Sequence, residues 1–208
     1  MSSYNYFFSN IYDSVFFLFL HSVRKRVAAE VVLCNPQSII DMCCGTGNQI
    51  KYFKNLPDAN IVGIDISDNM LTVARKSKWR NIFQKQDASN TSFANESFDI
   101  AILNFIFHET KPEIAQKISD EAKRIVKHSG RIIITDYVFD KKTSFIGKAG
   151  VYFVEFLIGG QHYSNFKTNL KNNLLKKYFS NFQLISEYQY LLGAVRICTF
   201  INTKNKSS

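Results

Sequence analysis

Short apolar segments alternate with helical segments in the middle of the chain, and this alternation restricts the fold more than any other feature. Strands separated by helices in this way are typical of βαβ units, and hence of a parallel sheet with helices on both faces. The expected fold is therefore α/β. The predicted strands cover residues 38–42, 60–65, 81–86, 98–104 and 131–137.

Local signals define the helices between these strands. Ser67 is a predicted N-cap, Pro112 suits the first turn of a helix, and Gly130 closes the helix before the fifth strand. An N-terminal helix is predicted over residues 10–33, with Ile11, Val15, Leu18 and Phe19 on one stripe. The other predicted helices run from the glycine turn after the first strand through Phe53, from Ser67 to about Lys78, and from Pro112 to near Lys127.

The pattern changes after Tyr137. Residues 143–178 are predicted as two helices around Gly159-Gly160, and residues 182–190 and 194–202 as two alternating strands that form an antiparallel hairpin at the sheet edge. The whole is a Rossmann-like, doubly wound and mostly parallel sheet of about seven strands, with a helical insertion before the last two. Ligands in this architecture bind beyond the carboxyl ends of the strands.

The length of 208 residues fits one domain better than two. We expect a single domain over residues 1–208, with parts assigned as follows: a helical cap at 1–35, a cofactor-binding core at 36–137, a helical lid at 138–180, and a strand pair at 181–208.

A glycine turn with two nearby acids predicts a nucleotide-type cofactor. Asp41 ends the first strand, Gly45 and Gly47 follow it, and Asp65 ends the second strand, where it can accept both hydroxyls of a ribose. NAD and S-adenosylmethionine both fit this logic. A dinucleotide fingerprint would need a third glycine where Ile50 stands, and Asp41 suits the amino group of a methionine moiety. The pattern favours S-adenosylmethionine.

The position of Asp65 at a strand end predicts that Asp65→Ala leaves the ligand-free fold almost unchanged.

The charge of the chain is basic, with 26 Lys and Arg against 17 Asp and Glu. Because the lysines are scattered, we expect a solvated surface rather than a nucleic-acid interface. The apolar run at residues 15–20 has its basic residues after it, unlike a secretory signal, and is shorter than a bilayer span. The adjacent Cys43 and Cys44 do not form a disulfide framework. We expect a cytoplasmic protein, and a peripheral membrane contact stays open.

Several motifs together resemble class I S-adenosylmethionine-dependent methyltransferases, especially relatives of the ubiquinone and menaquinone biosynthesis C-methyltransferases. The resemblance covers roughly residues 36–137 and is carried by these segments: Asp-Met-Cys-Cys-Gly-Thr-Gly at 41–47, Ile61 to Leu71, Gln86-Asp87-Ala88, Ser97-Phe98-Asp99, His108-Glu109, and Arg124 to Arg131. Cys43 stands where glycine is commonest, and His128-Ser129 replaces a usual proline-glycine. The segment after Lys111 lacks the signatures of the quinone enzymes.

The resemblance implies a role for each matching residue. Asp41, Cys43, Gly45 and Gly47 would surround the methionine end of S-adenosylmethionine, and Asn104 would lie beside the methyl donor. The remaining contacts would be Asp65 with the ribose, Ile66 and Met70 on either side of the adenine, Asp87 with its amino group, and Ala88 nearby.

Two further residues follow from their positions at the same rim. His108, just past the fourth strand, is a candidate general base, since its ordinary pKa lies near neutrality. The alternative is that it caps the next helix or bonds to Glu109. Tyr137, after the fifth strand with Asp136, would orient the acceptor or support the loop. The aromatic segment 151–163 is interpreted either as a lid or as a plain core helix.

Other acceptor classes lack their motifs. The fourth strand leads into Asn104-Phe105-Ile106-Phe107 rather than the Asp/Asn-Pro-Pro-aromatic motif of DNA amino-methylation, and no proline precedes a cysteine. No cluster suggests a metal site. The sequence therefore predicts methyl transfer from S-adenosylmethionine, with S-adenosylhomocysteine as product, to a small apolar or aromatic acceptor. The alternatives are an RNA or protein methyltransferase, a non-catalytic S-adenosylmethionine-binding protein and an NAD oxidoreductase.

Overall fold

The strands form one sheet whose order places the carboxyl ends of the central strands side by side. The computed structural model describes residues 20–53, 56, 58–158, 160–170, 178–179 and 182–203. Its strands are β1 (Ser38–Met42), β2 (Asn60–Asp65), β3 (Phe83–Lys85), β4 (Phe98–Asn104), β5 (Val126–Tyr137), β6 (Gln183–Tyr190) and β7 (Val195–Ile201).

The sheet has the order β3-β2-β1-β4-β5-β7-β6. Strands β1 to β5 pair in parallel, whereas β7 is antiparallel to both β5 and β6. The order reverses between β1 and β4, and this is the switch point at which ligands bind in open α/β sheets. The predicted seven-stranded α/β fold with an antiparallel C-terminal hairpin is confirmed.

The helices cover both faces of this sheet. The helices are α1 (residues 20–32), α2 (Asp68–Ala74), α3 (Pro112–Ile125), α4 (Phe145–Ile158) and α5 (Gly160–Leu170), with single 3-10 turns at Ile50–Tyr52 and Arg80–Ile82. The part of the N-terminal helix predicted over residues 10–19, and Gly159 of the predicted hinge, lie outside the described residues. Across the described helices, none is both long and apolar enough to cross a bilayer.

The glycine turn leads into a 3-10 turn at Ile50–Tyr52 instead of the predicted helix. Gly45 and Gly47 have φ values of 54° and 71°, in the left-handed region, so a right-handed helix cannot begin before Asn48. Phe53, also outside helical geometry, follows soon after. Too few residues remain between them for a stable α-helix.

Three other predicted bounds also change. Gly130 does not close the preceding helix, because β5 already begins at Val126 and contains it. Asn202 stabilises this early start, donating its side-chain N–H to Val126 O at 2.8 Å. Helix α2 ends at Ala74 instead of near Lys78, where the Ser77 hydroxyl donates to Ala74 O. Strand β3 is shorter than predicted, since Arg80–Ile82 forms the second 3-10 turn.

The core lies on both faces of the sheet. Ile40 and Met42 of β1 pack into one buried cluster, while Ile39 packs into the cluster on the opposite face. Strand β5 repeats this division with Ile134 and Ile133. Such strands, apolar on both sides, are what a helix-covered parallel sheet requires. The polar residues at the strand ends are therefore held by a rigid, close-packed support.

Candidate functional site

A cavity of about 950 Å³ opens beyond the carboxyl ends of β1, β2 and β4. Two of the predicted site residues, Gly47 and Tyr137, do not line it. The other ten do: Asp41, Cys43, Gly45, Asp65, Ile66, Met70, Asp87, Ala88, Asn104 and His108. The structure thus brings together residues from four separate segments of the chain.

Asp65 holds the glycine turn against β2. Its Oδ2 accepts the Gly45 backbone N–H at 2.8 Å, and its Oδ1 accepts the Ser67 backbone N–H at the same distance. Burial raises the pKa of this carboxyl, although the two backbone donors oppose the shift. Each carboxylate oxygen has a second lone pair, so Asp65 can still accept hydrogen bonds from a ligand in the cavity.

Asp41, at the end of β1, is a buried carboxyl without a full set of partners. It is 1% exposed, and its Oδ2 accepts no hydrogen bond from the protein. Burial and the nearby Asp65 raise the pKa of Asp41 to about 8, while Arg24 lowers it. At the end of β4, Asn104 Oδ1 is likewise buried without a partner. Two buried acceptor oxygens facing one cavity match a ligand that carries a cation with several N–H donors.

The turn itself requires unusual backbone geometry. Cys43, Gly45 and Gly47 all have positive φ values, and Cys43 at 59° is the one of the three that carries a side chain. Gly47 lies outside the cavity because a Cβ there would meet the Phe83 ring of β3. Its absent side chain serves the packing of the turn on the sheet, so the predicted contact of Gly47 with a cofactor has no geometric basis.

The far end of the cavity is open and mixed in polarity. Ile66 is 63% exposed at the mouth, where Met70 and Ala88 also contribute apolar surface. Asp87 stands beside them and accepts the Ser89 backbone N–H through Oδ1 at 2.8 Å. An apolar platform with an acid at its edge suits a flat ring that has an exocyclic amino group.

The other end of the cavity is organised by Asp136 of β5. Its Oδ2 accepts the Phe107 backbone N–H at 2.7 Å, and its Oδ1 lies 2.7 Å from His108 Nδ1. Phe105 begins this loop at a φ of 56°, which turns the chain sharply after β4. The loop and the imidazole orientation are both fixed by one buried carboxylate.

Glu155 is a site residue that was not predicted from the sequence. This residue of α4 is 1% exposed and lines the cavity, with Oε1 3.7 Å from His108 Nε2. Burial raises its pKa, and a hydrogen bond from Tyr137 opposes that shift. Its Oε2 has no hydrogen-bond partner in the protein. The available signal was a single carboxylate within the otherwise apolar run at residues 151–158.

His108 is therefore flanked by two carboxylates. Burial lowers the pKa of His108, but the charges of Asp136, Glu155 and Glu109, with the Asp136 hydrogen bond, raise it to about 9. An imidazole with this pKa is protonated at neutral pH and is not a free base. This geometry disfavours the predicted general-base role of His108 and leaves it as a donor that orients its neighbours.

Tyr137 packs against this cluster without lining the cavity. Its ring lies 4.7 Å from that of His108 and 6.0 Å from that of Phe166, and its side chain is buried. Because it does not line the cavity, it acts on a ligand only through Glu155 and His108. The predicted direct contact between Tyr137 and an acceptor lacks an open path.

Helix α5 is fastened to the loop after β4. Asn169 donates from its side-chain amide to the carbonyl oxygens of Phe107, His108 and Thr110 at 2.8–3.0 Å. One turn earlier, Asn165 donates to Glu109 O at 2.8 Å. These bonds join the helical insertion to the loop that carries His108. Within the described residues, no group of His, Cys, Asp and Glu side chains has the arrangement of a metal site.

Sequence comparisons agree with this site. Residues 40–134 match the family described as a methyltransferase domain. The chain is 30% identical over 150 residues to the demethylmenaquinone methyltransferase of Thermus thermophilus, covering 69% of this chain and 67% of that protein. The chain belongs to the S-adenosylmethionine-dependent methyltransferase family.

Among individual relatives, the similarity is to quinone C-methyltransferases. The demethylmenaquinone methyltransferase of Thermotoga maritima is 29% identical over 133 residues, which is 64% of this chain and 57% of the relative. The ubiquinone/menaquinone biosynthesis C-methyltransferase of Campylobacter jejuni is 28% identical, with 59% of its length covered. The chain thus matches less than two thirds of the length of these two relatives.

Solved structures show the same fold at low identity. An O-methyltransferase family protein from Burkholderia thailandensis superposes with a TM-score of 0.73 at 12% identity, covering 98% of this chain and 62% of that one. A cyclase superposes with a TM-score of 0.62 at 15% identity, covering 87% of this chain and 82% of that one. Since one fold includes both proteins, activity must be argued from the site.

Proposed function

We propose that the chain transfers a methyl group from S-adenosylmethionine to a small apolar or aromatic acceptor. The observation that carries the proposal is the pair of buried, unpartnered oxygens, Asp41 Oδ2 and Asn104 Oδ1, beside the glycine turn. The ammonium group of a methionine moiety supplies both the positive charge and the N–H donors that these oxygens lack.

The remaining cavity residues fit the rest of that cofactor. Asp65 has lone pairs left for the ribose hydroxyls, and the platform of Ile66 and Met70 fits the adenine with Asp87 near its amino group. Arg24 of α1 also lines the cavity and lowers the pKa of Asp41, so its guanidinium is placed to pair with the methionine carboxylate. The bound cofactor would supply a methyl group already activated by its sulfonium.

The acceptor end is apolar around one polar cluster. Ile106, Ile114 and Ile118 line it together with Phe105. These walls favour an apolar molecule, and they exclude water from the reacting atoms. The quinone relatives act on small apolar compounds by their names, which supports the same acceptor class here.

Glu155 is the proton acceptor in this proposal, in place of His108. Its Oε2 is unpartnered and the residue lines the cavity, whereas His108 is protonated between Asp136 and Glu155. Glu155 Oε2 would take the proton that the acceptor loses when its nucleophilic atom bonds to the methyl carbon and the methyl–sulfur bond breaks, leaving S-adenosylhomocysteine. His108 and Tyr137 act as positioning residues, because they hold the Glu155 carboxylate from the side away from the acceptor.

We also propose that the protein acts in the cytoplasm and that its partner is a small molecule. All four cysteines are free, with Cys44 and Cys198 buried. Free thiols in a protein of this size are typical of a reducing compartment.

Calorimetry with S-adenosylmethionine, S-adenosylhomocysteine and NAD tests cofactor choice. We expect both adenosyl compounds to bind and NAD to bind at least about a hundredfold more weakly, because Ile50 stands where a dinucleotide fingerprint needs its third glycine. Comparable affinity for NAD would contradict the proposal at its base. Binding of S-adenosylmethionine without methyl transfer to any of a panel of phenols and reduced quinones would leave a binding protein instead.

The role of Glu155 is tested by Glu155→Gln, with Glu113→Gln at the exposed start of α3 as the matched control. Single-turnover transfer of a radiolabelled methyl group should slow by about a hundredfold or more in Glu155→Gln. Affinity for S-adenosylhomocysteine should stay the same in both variants. A rate unchanged by Glu155→Gln would remove Glu155 from the reaction.

A further inference from the structure

Helix α4 has its polarity reversed relative to an ordinary surface helix. Its inner face carries Val151 and the buried Glu155, whereas its outer face carries large apolar side chains. The exposed fractions on the outer face are 83% for Phe145, 72% for Ile146, 64% for Phe153 and 66% for Phe156. A surface helix normally buries such residues and exposes its charges.

The apolar surface continues beyond the helix. Leu192, in the turn between β6 and β7, is 60% exposed. Its carbonyl accepts the Ser144 backbone N–H at 2.9 Å, so the turn lies against the first residues of α4. We refer to Phe145, Ile146, Phe153, Phe156 and Leu192 as the α4 face. Contiguous apolar surfaces of this kind mark a contact with a protein or a membrane.

The charges around the α4 face are positive. Lys141 and Lys142 are exposed directly before the helix. At its other end, Lys167 of α5 lies 4.5 Å above the ring of Tyr163, and that ring lies 6.0 Å from the ring of Phe156. Lysines therefore stand at both ends of the apolar surface.

The acids of the same segment offset these lysines only in part, through the charge of Asp140 beside Lys142. The segment from residue 140 to residue 158 contains two acids, Asp140 and Glu155. Asp140 is paired with Arg196 at 2.8 Å, and Glu155 faces the cavity. The outer side of α4 therefore combines aromatic residues with an excess of positive charge.

We propose that the α4 face docks on the surface of an anionic lipid bilayer, with α4 lying in the plane of the interface. Exposed phenylalanines enter the boundary between headgroups and acyl chains, and lysines at the edge contact the anionic headgroups. Charge decides between this occupant and a second copy of the chain. Two copies would bring lysine-edged surfaces together, each on a chain of formal charge +9, and would repel.

Docking has a consequence for the acceptor, and this consequence rests on the proposed function. The inner side of α4 carries Glu155 into the acceptor chamber. A helix is roughly 10 Å across, so the bilayer would lie about that far from the chamber. An apolar acceptor dissolved in the bilayer would then have a short path to the site.

Vesicle co-sedimentation tests the docking. The full chain is mixed with vesicles of phosphatidylcholine alone, and with vesicles containing about one third phosphatidylglycerol, at low ionic strength. We expect binding to the anionic vesicles at least tenfold stronger than to the neutral ones. Phe153→Ser with Phe156→Ser should weaken that binding about tenfold or more. Lys141→Gln with Lys142→Gln should weaken it roughly thirtyfold.

The matched control is Leu33→Ser with Leu184→Ser, two leucines that are 79% and 47% exposed elsewhere on the molecule. This variant should bind anionic vesicles like the parent protein. Each variant is first shown to melt cooperatively, so the vesicle result can be interpreted even if cofactor binding, and with it the proposed function, fails.

Three results would overturn the docking. The first is an absence of binding to anionic vesicles. The second is an equal loss of binding in the control and in the α4 variants. The third is a parent protein that sediments as a dimer and becomes monomeric in Phe153→Ser with Phe156→Ser, because that would assign the face to a second copy of the chain.

Discussion

The two ends of the cavity hold their buried charges in different ways. At the glycine turn, Asp65 is held by the backbone N–H groups of Gly45 and Ser67, while the neighbouring Asp41 has an oxygen with no partner. At the acceptor end, side chains hold one another, with His108 between Asp136 and Glu155. The first end keeps a buried carboxyl oxygen without a hydrogen-bond partner, whereas the second contains its own cation.

This difference predicts how each end responds to ligand and to pH. A buried carboxyl with an unpartnered oxygen gains most when a positively charged ligand arrives, so binding and ionisation at Asp41 should be coupled. The cluster around His108 contains its own cation, so its charge state should affect the stability of the ligand-free protein more than the binding of a cationic ligand.

The largest effect is expected for Asp65→Ala. Two charge-assisted hydrogen bonds to a ribose are worth at least about 3 kcal/mol together, or more than about a hundredfold in affinity. The structure corrects the expectation that Asp65→Ala leaves the ligand-free fold unchanged, because the substitution also removes the acceptor of the Gly45 and Ser67 backbone N–H groups. We therefore expect the melting temperature to fall by several degrees, for a loss of about 1–3 kcal/mol.

Calorimetry with S-adenosylhomocysteine and thermal melting without ligand measure the two effects of Asp65→Ala separately. Asp120→Ala is the control, since Asp120 is exposed on α3 and does not line the cavity. Affinity within a few fold of the parent would show that Asp65 only supports the turn.

The second effect is proton release at Asp41. With a pKa of about 8, the ligand-free carboxyl is protonated at pH 6.5 and must ionise to pair with an ammonium group. Binding of S-adenosylhomocysteine should therefore release close to one proton, measured by calorimetry in buffers of different ionisation enthalpy. In Asp41→Asn the release should vanish, and affinity should fall roughly a hundredfold, as expected for a lost buried ion pair.

Rising pH lowers the stability of the ligand-free protein through both Asp41 and His108, but over different pH ranges. Asp41 has a folded pKa above its ordinary value of 3.8, so its ionisation destabilises the ligand-free protein as pH rises from about 4 to 8. Proton release that persists in Asp41→Asn would locate the coupled group elsewhere and would remove the contrast between the two ends.

The third effect concerns His108 and the pH dependence of unfolding. Its pKa is raised from 6.5 to about 9, so its contribution to stability is complete below pH 6.5 and is lost as pH rises through 9. The contribution is at most about 3 kcal/mol. Urea unfolding of the parent and of His108→Gln at pH 6 and pH 9.5 measures it, and the parent should lose more stability than the variant. Parallel losses would mean that His108 is neutral in the folded protein.

The cofactor end could be predicted from the sequence because its parts are local. Asp41 and Gly45 lie in one turn, Asp65 ends the next strand, and parallel pairing of β1 with β2 brings these segments together. The strand–helix alternation gave the sheet for the same reason, since each βαβ unit is encoded within a short stretch of chain.

The acceptor end could not be predicted in the same way. Glu155 reaches His108 only because one side of α4 packs inward, and an apolar run such as residues 151–158 has no periodicity that indicates which side this is. The charge state of His108 depends on that contact. Gly47 shows a different limit. The sequence correctly indicated that this position requires glycine, but the cause is the ring of Phe83, which is distant in sequence.

The smallest effect is expected at Cys43, where the turn carries a side chain in a glycine conformation. Its φ of 59° costs an L-residue about 1–2 kcal/mol, which glycine does not incur. Glycine loses about 0.5–1 kcal/mol through its greater freedom in the unfolded chain, and the Cys43 side chain also packs against the core. Cys43→Gly should therefore raise the stability of the ligand-free protein by no more than about 1 kcal/mol, without changing affinity for S-adenosylhomocysteine.

Cys44→Gly is the matched control, because Cys44 is buried and lies outside the left-handed region, so this variant should lose stability. Urea unfolding of the three proteins compares the signs. If both variants lose stability equally, packing of the Cys43 side chain outweighs its backbone strain. The rigidity of the cofactor end would then depend on side chains, as it does at the acceptor end.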